Sequence, residues 1–262
     1  MKLSKAIQSE FIKLRYPPIL WLTGFVITIT MFIIFIAHYL DIHNAIRLGV
    51  NPWFRINNTG QAIFAMFIGT PFVILLISAI LSIEHQNFGF KQLYTLPKRR
   101  QNIVLYKLMI ILLYLFLILF VLIIGLIAIG ILLNIIFPET GFSYYKIPLT
   151  GMLLSSGEYL VSVLGIIGIQ FFLSIRFKGL IVPASIGILA YTIGFILTSL
   201  NNSLSLYFPY CYTIIVKEDS PFGTSSFEIK QFAFLNEVHL YSIIVFFSFI
   251  LLSLITERSR NI

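Results

Sequence analysis

One side chain in this sequence could do chemistry inside an apolar environment. Glu158, in the stretch Ser155-Ser156-Gly157-Glu158-Tyr159-Leu160, falls within an apolar run covering 148–175. A carboxylate there is costly, and its default reading is a point on a substrate, ion or proton path. Ser155, Ser156 and Gln170 are the polar residues that could share a cavity with it. A structural reading stands beside this one: a glutamate protonated or paired near a membrane interface, in a run that starts later than 148. An enzyme centred on Glu158 would need a second acid, base or nucleophile, and the apolar runs offer none. His38, His43 and His239 stand at the ends of apolar runs where they could meet on one face, while His85 stands apart. Scattered histidines of this kind are ordinary structural residues far more often than metal ligands. The phosphate loop G-x-x-x-x-G-K-[ST], the zinc motif H-E-x-x-H and the hydrolase motif G-x-S-x-G are all absent. The expectation is a chain with no catalytic residues, no metal, and no ATP site or other cofactor of its own. The lone cysteine, Cys211, excludes an internal disulfide.

The elements that would position Glu158 follow from composition. Only 11% of the 262 residues are charged and 58% are hydrophobic, with a mean hydropathy of +0.96. A soluble domain carries about 25% charge, so this is an all-α integral membrane protein. A helix needs about 20 apolar residues to cross a hydrocarbon core. Six runs qualify: 19–39, 61–83, 108–137, 148–175, 179–200 and 238–255. The third is long enough that it must tilt, kink near Gly125 or Gly130, or project from the bilayer. The net charge of +8 lies in short loops, where Lys and Arg set orientation rather than attract nucleic acid. With six spans, 13 of the 18 Lys and Arg fall on the side holding both termini, 84–107 and 176–178. The positive-inside rule places that side in the cytoplasm. No cleavable signal is expected, because the first apolar run starts late and has full span length. Two N-x-[ST] sequons, at Asn57 and Asn201, fall on the outer side. They carry no weight here, because a composition rich in Ile, Phe, Asn and Lys suits an AT-rich bacterium and hence a bacterial cytoplasmic membrane. The chain reads as one domain, 1–262.

Three segments outside the spans are not plain loops. In 1–16, Leu3, Ile7, Phe11 and Leu14 recur at helical spacing, with Lys2, Lys5, Ser9 and Lys13 largely between them. That is a cationic amphipathic helix lying on the inner surface, stopped by Pro17-Pro18; the alternative is a longer first span with a charged foot. Within 201–237, the stretch 204–216 is apolar but about 13 residues long, too short to span. A re-entrant or interfacial helix and a loop packed on the outer span ends both fit it. The third segment is 84–100, EHQNFGFKQLYTLPKRR. It has a short helix-compatible piece with Phe88, Phe90, Leu93 and Tyr94, then Leu96-Pro97, then Lys98, Arg99 and Arg100. Its apolar side chains can be buried in lipid headgroups or in a groove on a partner. The basic residues suit anionic lipid or an acidic protein surface.

In the order Glu84, Gly89, Leu93, Leu96, Pro97, Arg99, Arg100, with Lys107 opening span 3, this segment resembles the permeases of the type-2 ABC exporter family. Those carry a Glu at the end of span 2, a Gly a few residues on, a Leu-rich stretch, a Pro and a basic pair. Phe90 departs from the small or hydroxyl residue frequent after the Gly. The resemblance extends over essentially the whole chain: six spans, both termini inside, an N-terminal elbow helix, and re-entrant helices between spans 5 and 6. It implies that 84–100 is a coupling helix docking on a separate ATP-binding subunit. Glu84, Phe88, Gly89, Phe90, Leu93, Tyr94, Leu96, Pro97, Arg99 and Arg100 would make the contact. ATP and magnesium would be held by that subunit, and a second permease chain, identical or homologous, would complete the path. One permease domain with no fused ATPase is similar to bacterial permeases of antimicrobial-peptide self-protection, including lantibiotic immunity transporters. The substrate would be amphipathic or lipophilic. Glu158, Gln170, Phe64, Phe67, Phe72, Tyr191 and Phe195 are the candidates to line its path, each of the aromatics having ordinary helix packing as its alternative. The rival to transport is a membrane assembly or sensor protein whose basic loop binds anionic lipid.

Overall fold

A computed structural model describes residues 17–40, 51–86, 100–177, 179–218 and 236–259. The described residues are helical, with no strand among them. Six helices are long and apolar enough to cross a membrane: Ile19–Leu40, Pro52–Ser82, Val104–Ile136, Leu149–Arg176, Ile181–Ser199 and Glu237–Thr256. They are spans 1 to 6 below. Their outward faces carry Phe25 and Phe32 of span 1, Phe116 and Phe120 of span 3, and Phe247 and Leu251 of span 6. A bundle as greasy outside as inside is what a hydrocarbon solvent selects, since lipid gives no reason to segregate apolar side chains.

Where burying Leu gains nothing over lipid, close backbone approach holds helices together. Spans 4 and 6 show this. A Cβ on Gly168 would lie 2.9 Å from Phe246 Cα, and one on Gly165 would lie 3.3 Å from Ser242 Oγ. The approach lets Ser242 Oγ reach the span 4 backbone. It accepts from Gly165 N–H at 2.9 Å and lies 2.8 Å from Val161 O and 3.0 Å from Ser162 O.

Two span boundaries differ from the apolar runs. Span 2 begins at Pro52, not at 61. The polar stretch 52–60 reads as loop by hydropathy, yet it is an amphipathic helix with Trp53, Ile56, Asn57 and Gly60 buried. Asn51 caps it, its Oδ1 accepting Trp53 N–H at 3.0 Å, and Pro52 occupies the first turn, where a missing N–H costs nothing. Asn57, the first sequon residue, therefore faces the bundle. Span 3 belongs to a continuous 37-residue α-helix, Arg100–Ile136, about 55 Å long at 1.5 Å per residue. Its glycines admit neighbours: a Cβ on Gly125 would meet Met31, and one on Gly130 would lie 2.5 Å from the Trp53 ring. That ring is fixed by its Nε1–H donating to Phe142 O at 3.0 Å. Pro17-Pro18 opens the helix Pro17–Leu40. The surface helix expected at 1–16 lies outside the described residues.

The segment after span 5 turns back into the bundle. It runs as 3-10 turns Ser203–Tyr207 and Pro209–Cys211, then helix Tyr212–Glu218. Tyr210, Cys211, Tyr212, Thr213 and Ile214 are buried. Gly194 of span 5 makes room, since a Cβ there would stand 3.1 Å from the Tyr210 carbonyl. The segment reaches the middle of span 2, where Thr213 Oγ1 lies 3.2 Å from Thr70 Oγ1. Of the two readings open in the sequence, a segment re-entering the helix bundle describes this part; residues 219–235 lie outside the described set.

Candidate functional site

Polar side chains gather at three levels of the bundle. At the end of the bundle where spans 2 and 4 begin, Asn57 and Gln61 of span 2 face Ser155 and Ser156 of span 4. Asn57 Nδ2 donates to Ser155 Oγ at 3.2 Å and Gln61 Nε2 to Ser156 Oγ at 2.7 Å. Helix Tyr212–Glu218 adds Lys217, buried, with Nζ donating to Ser155 O at 2.9 Å. Burial pushes the Lys217 ammonium down to about 8, with the Glu158 carboxylate offsetting part of the cost. Glu158 is half-buried beside it. His239, at the start of span 6, faces the Glu158 backbone, but neither of its buried ring nitrogens has a hydrogen-bond partner. A glutamate, a lysine and a histidine from three elements therefore share one corner. Among the described residues no three His, Cys, Asp or Glu come close enough to hold a metal ion.

The middle level is a break in span 2. Residues Phe64–Gly69 form a π-helix between the α-helices Pro52–Ile63 and Thr70–Gln86. One residue too many for an α-turn leaves carbonyls poorly bonded within the helix. Side chains take them up. Thr70 Oγ1 donates to Ala65 O at 2.8 Å, and the Tyr191 hydroxyl of span 5 donates to Met66 O. The Phe64 ring folds over Gly69, where a Cβ would come within 2.6 Å of it. Its other neighbour is Tyr159, edge-on with centroids 5.5 Å apart.

The third level is Gln170, fully buried. Its Nε2 donates to Ser78 Oγ and to Pro183 O, both at 2.8 Å, linking spans 2, 4 and 5.

The path candidates thus separate. Gln170 lies 12 residues from Glu158 on one helix, about 18 Å along its axis, so the two do not share a cavity. Phe64, Phe72 and Tyr191 are buried in packing. Phe67 is different: it projects from the π segment, 61% exposed, with its ring 5.8 Å from that of half-buried Phe195. An apolar crevice of about 100 Å³ opens between spans 3 and 4, lined by Phe116, Phe120, Leu153, Gly157 and Leu160 among others. Of the 84–100 candidates, Glu84 lies in the last turns of helix Thr70–Gln86 and Arg100 opens the helix of span 3. Phe88, Gly89, Phe90, Leu93, Tyr94, Leu96, Pro97 and Arg99 lie outside the described residues. The sequence reading missed Lys217, Thr70, Thr213 and Tyr159. Lys217 had a visible signal, a cation ending an apolar run too short to span; the others are uncharged residues in apolar context.

A family model described as ABC-2 family transporter protein matches residues 6–195. No curated protein and no solved structure matches the chain.

Proposed function

This chain belongs to the ABC-2 family of transporter proteins, and on that premise we propose that it is an exporter permease driven through 84–100 by a separate ATP-binding subunit. It is a multi-pass membrane protein and the membrane component of an ABC transport system. The observation that carries the reading is a family match running from the N-terminal segment into span 5, joined to six helices able to span. The 13 Lys and Arg on the side of both termini support cytoplasmic placement of the termini and of 84–100 in a bacterial inner membrane. A second permease chain, identical or homologous, completes the path.

The substrate in this reading is amphipathic or lipophilic, and the narrower class, an antimicrobial peptide, comes from the subfamily resemblance alone. The support for the broad class is chemical. The Phe67–Phe195 pair is uncharged and accessible, and the span 3–4 crevice is apolar. ATP binding elsewhere supplies the free energy, and this chain contributes contacts that differ between two states. Replacing Gly89 or Leu93 with Asp, in the complex with its ATP-binding subunit, should abolish substrate-stimulated ATP hydrolysis while membrane insertion stays normal. Unchanged stimulation in both variants would remove 84–100 from the coupling path.

A further inference from the structure

We propose that the π segment Phe64–Gly69 is a joint in span 2, with Tyr191 and Thr213 as the positioning residues that pass its movement to span 5 and to helix Tyr212–Glu218. The proposal rests on the reading above, because it needs a force applied at the end of span 2.

A continuous α-helix transmits a push as a rod, whereas a π-turn has weaker internal bonds and can change its angle without unfolding. Span 2 is broken near its middle. Below the break, Thr70–Gln86 leads directly into the 84–100 segment; above it, Pro52–Ile63 carries Asn57 and Gln61 of the polar corner. The break is also where other elements attach. The Met66 carbonyl is held from span 5 by Tyr191, and the Ala65 carbonyl by Thr70. Thr70 has one hydroxyl proton, so while it donates to Ala65 it accepts from Thr213 on the re-entering helix. Movement at the joint therefore pulls on two elements outside span 2.

A two-state element needs a second set of partners. The Tyr159 hydroxyl supplies one. It is fully buried and stands close to Thr70, short of a well-formed hydrogen bond. An orphan hydroxyl beside a bonded pair gives Thr70 somewhere to go when the pair separates, so exchange does not strand a polar group in an apolar interior. The break also aims Phe67 at Phe195, so a change of angle alters the accessible aromatic pair.

The test places nitroxide pairs on a Cys211→Ser background. One pair, at positions 58 and 80, crosses the joint; a control pair, at 153 and 176, lies along uninterrupted span 4. Labelled chain is diluted with unlabelled chain, and distances are read in the full complex, nucleotide-free and trapped with ADP and vanadate. The 58–80 distance should shift between the two states and the 153–176 distance should not. In the chain alone, Tyr191→Phe with Thr213→Val should broaden the 58–80 distribution. In the complex, the same double variant should keep ATP hydrolysis and lose roughly 2- to 30-fold in substrate moved per ATP, the range of a coupling change of 0.5–2 kcal/mol. A 58–80 distance as constant as the control in a complex that hydrolyses ATP overturns the joint. So does an unchanged distribution in the double variant, a measurement that needs no ATP-binding subunit. If no such subunit assembles, the transport reading fails, and the chain-alone measurement still decides on the joint.

Discussion

Lys217 is a charged residue held away from water by the fold, and pH should reveal it. Its folded pKa is about 8 against an ordinary 10.5. Between those values the unfolded chain holds the proton and the folded chain does not, so this group adds stability as pH rises from about 8 toward 10.5. Below about 8 both forms are charged and its contribution is flat. Burial raises the Cys211 thiol and the Tyr210 and Tyr212 phenols, which acts in the opposite direction at alkaline pH. Those groups remain in a Lys217→Met variant, so the difference between the two chains isolates Lys217. Thermal unfolding should show the wild type gaining on the variant from pH 8 to 10; parallel curves would mean the ammonium is hydrated. Gln170 gives a second residue-scale case. Gln170→Leu keeps the volume and removes two hydrogen bonds, which cost about 0.6 and at most about 1.7 kcal/mol each within membrane bundles. Gln170→Ala adds a cavity and should cost about 2–5 kcal/mol. Equal losses in a denaturing-detergent titration would show that the bonds, not the packing, join spans 2, 4 and 5. Glu158 was legible as the costly charge of span 4 and Lys217 as a cation ending a short apolar run, but their proximity was not, because only folding brings helix Tyr212–Glu218 against span 4.

At the scale of elements, hydropathy was a good guide to helix cores and a poor one to ends. The polar start of span 2 was lost because a sliding apolar count ignores periodicity: Trp53, Ile56 and Gly60 lie on one face of a helix whose other face is polar. The π segment had no signal, since nothing in Phe64-Ala65-Met66-Phe67-Ile68-Gly69 separates it from an α-turn. Glycines in spans look alike in sequence and differ in structure. A Cβ on Gly168 meets the Phe246 backbone at 2.9 Å, and backbone cannot yield, whereas a Cβ on Gly24 meets nothing within 4 Å. Gly168→Ala should therefore push spans 4 and 6 apart and destabilise the protein by about 1–3 kcal/mol. Gly24→Ala should be neutral or stabilise by up to about 1 kcal/mol through helix propensity. The same titration compares them, and matched effects would contradict the packing of spans 4 and 6.

For the whole molecule, the six helices able to span a membrane followed from run length, a property of the sequence itself. The match to the ABC-2 family covers the chain from residue 6 to 195, consistent with a resemblance that rested on the 84–100 segment and the overall architecture rather than on any catalytic group. The substrate was not legible, because uncharged aromatic and aliphatic side chains in a sequence carry no signature of one functional group. The most direct test of the account is whether this chain carries an ATP-binding subunit with it. The chain, tagged at its C-terminus and expressed with its neighbouring genes, is extracted in mild detergent and its companions identified. An ATP-binding subunit should be recovered in about equal amount and lost on Gly89→Asp or Leu93→Asp. A chain that emerges alone, its 84–100 segment protected only by anionic lipid in a salt-sensitive way, would contradict the account.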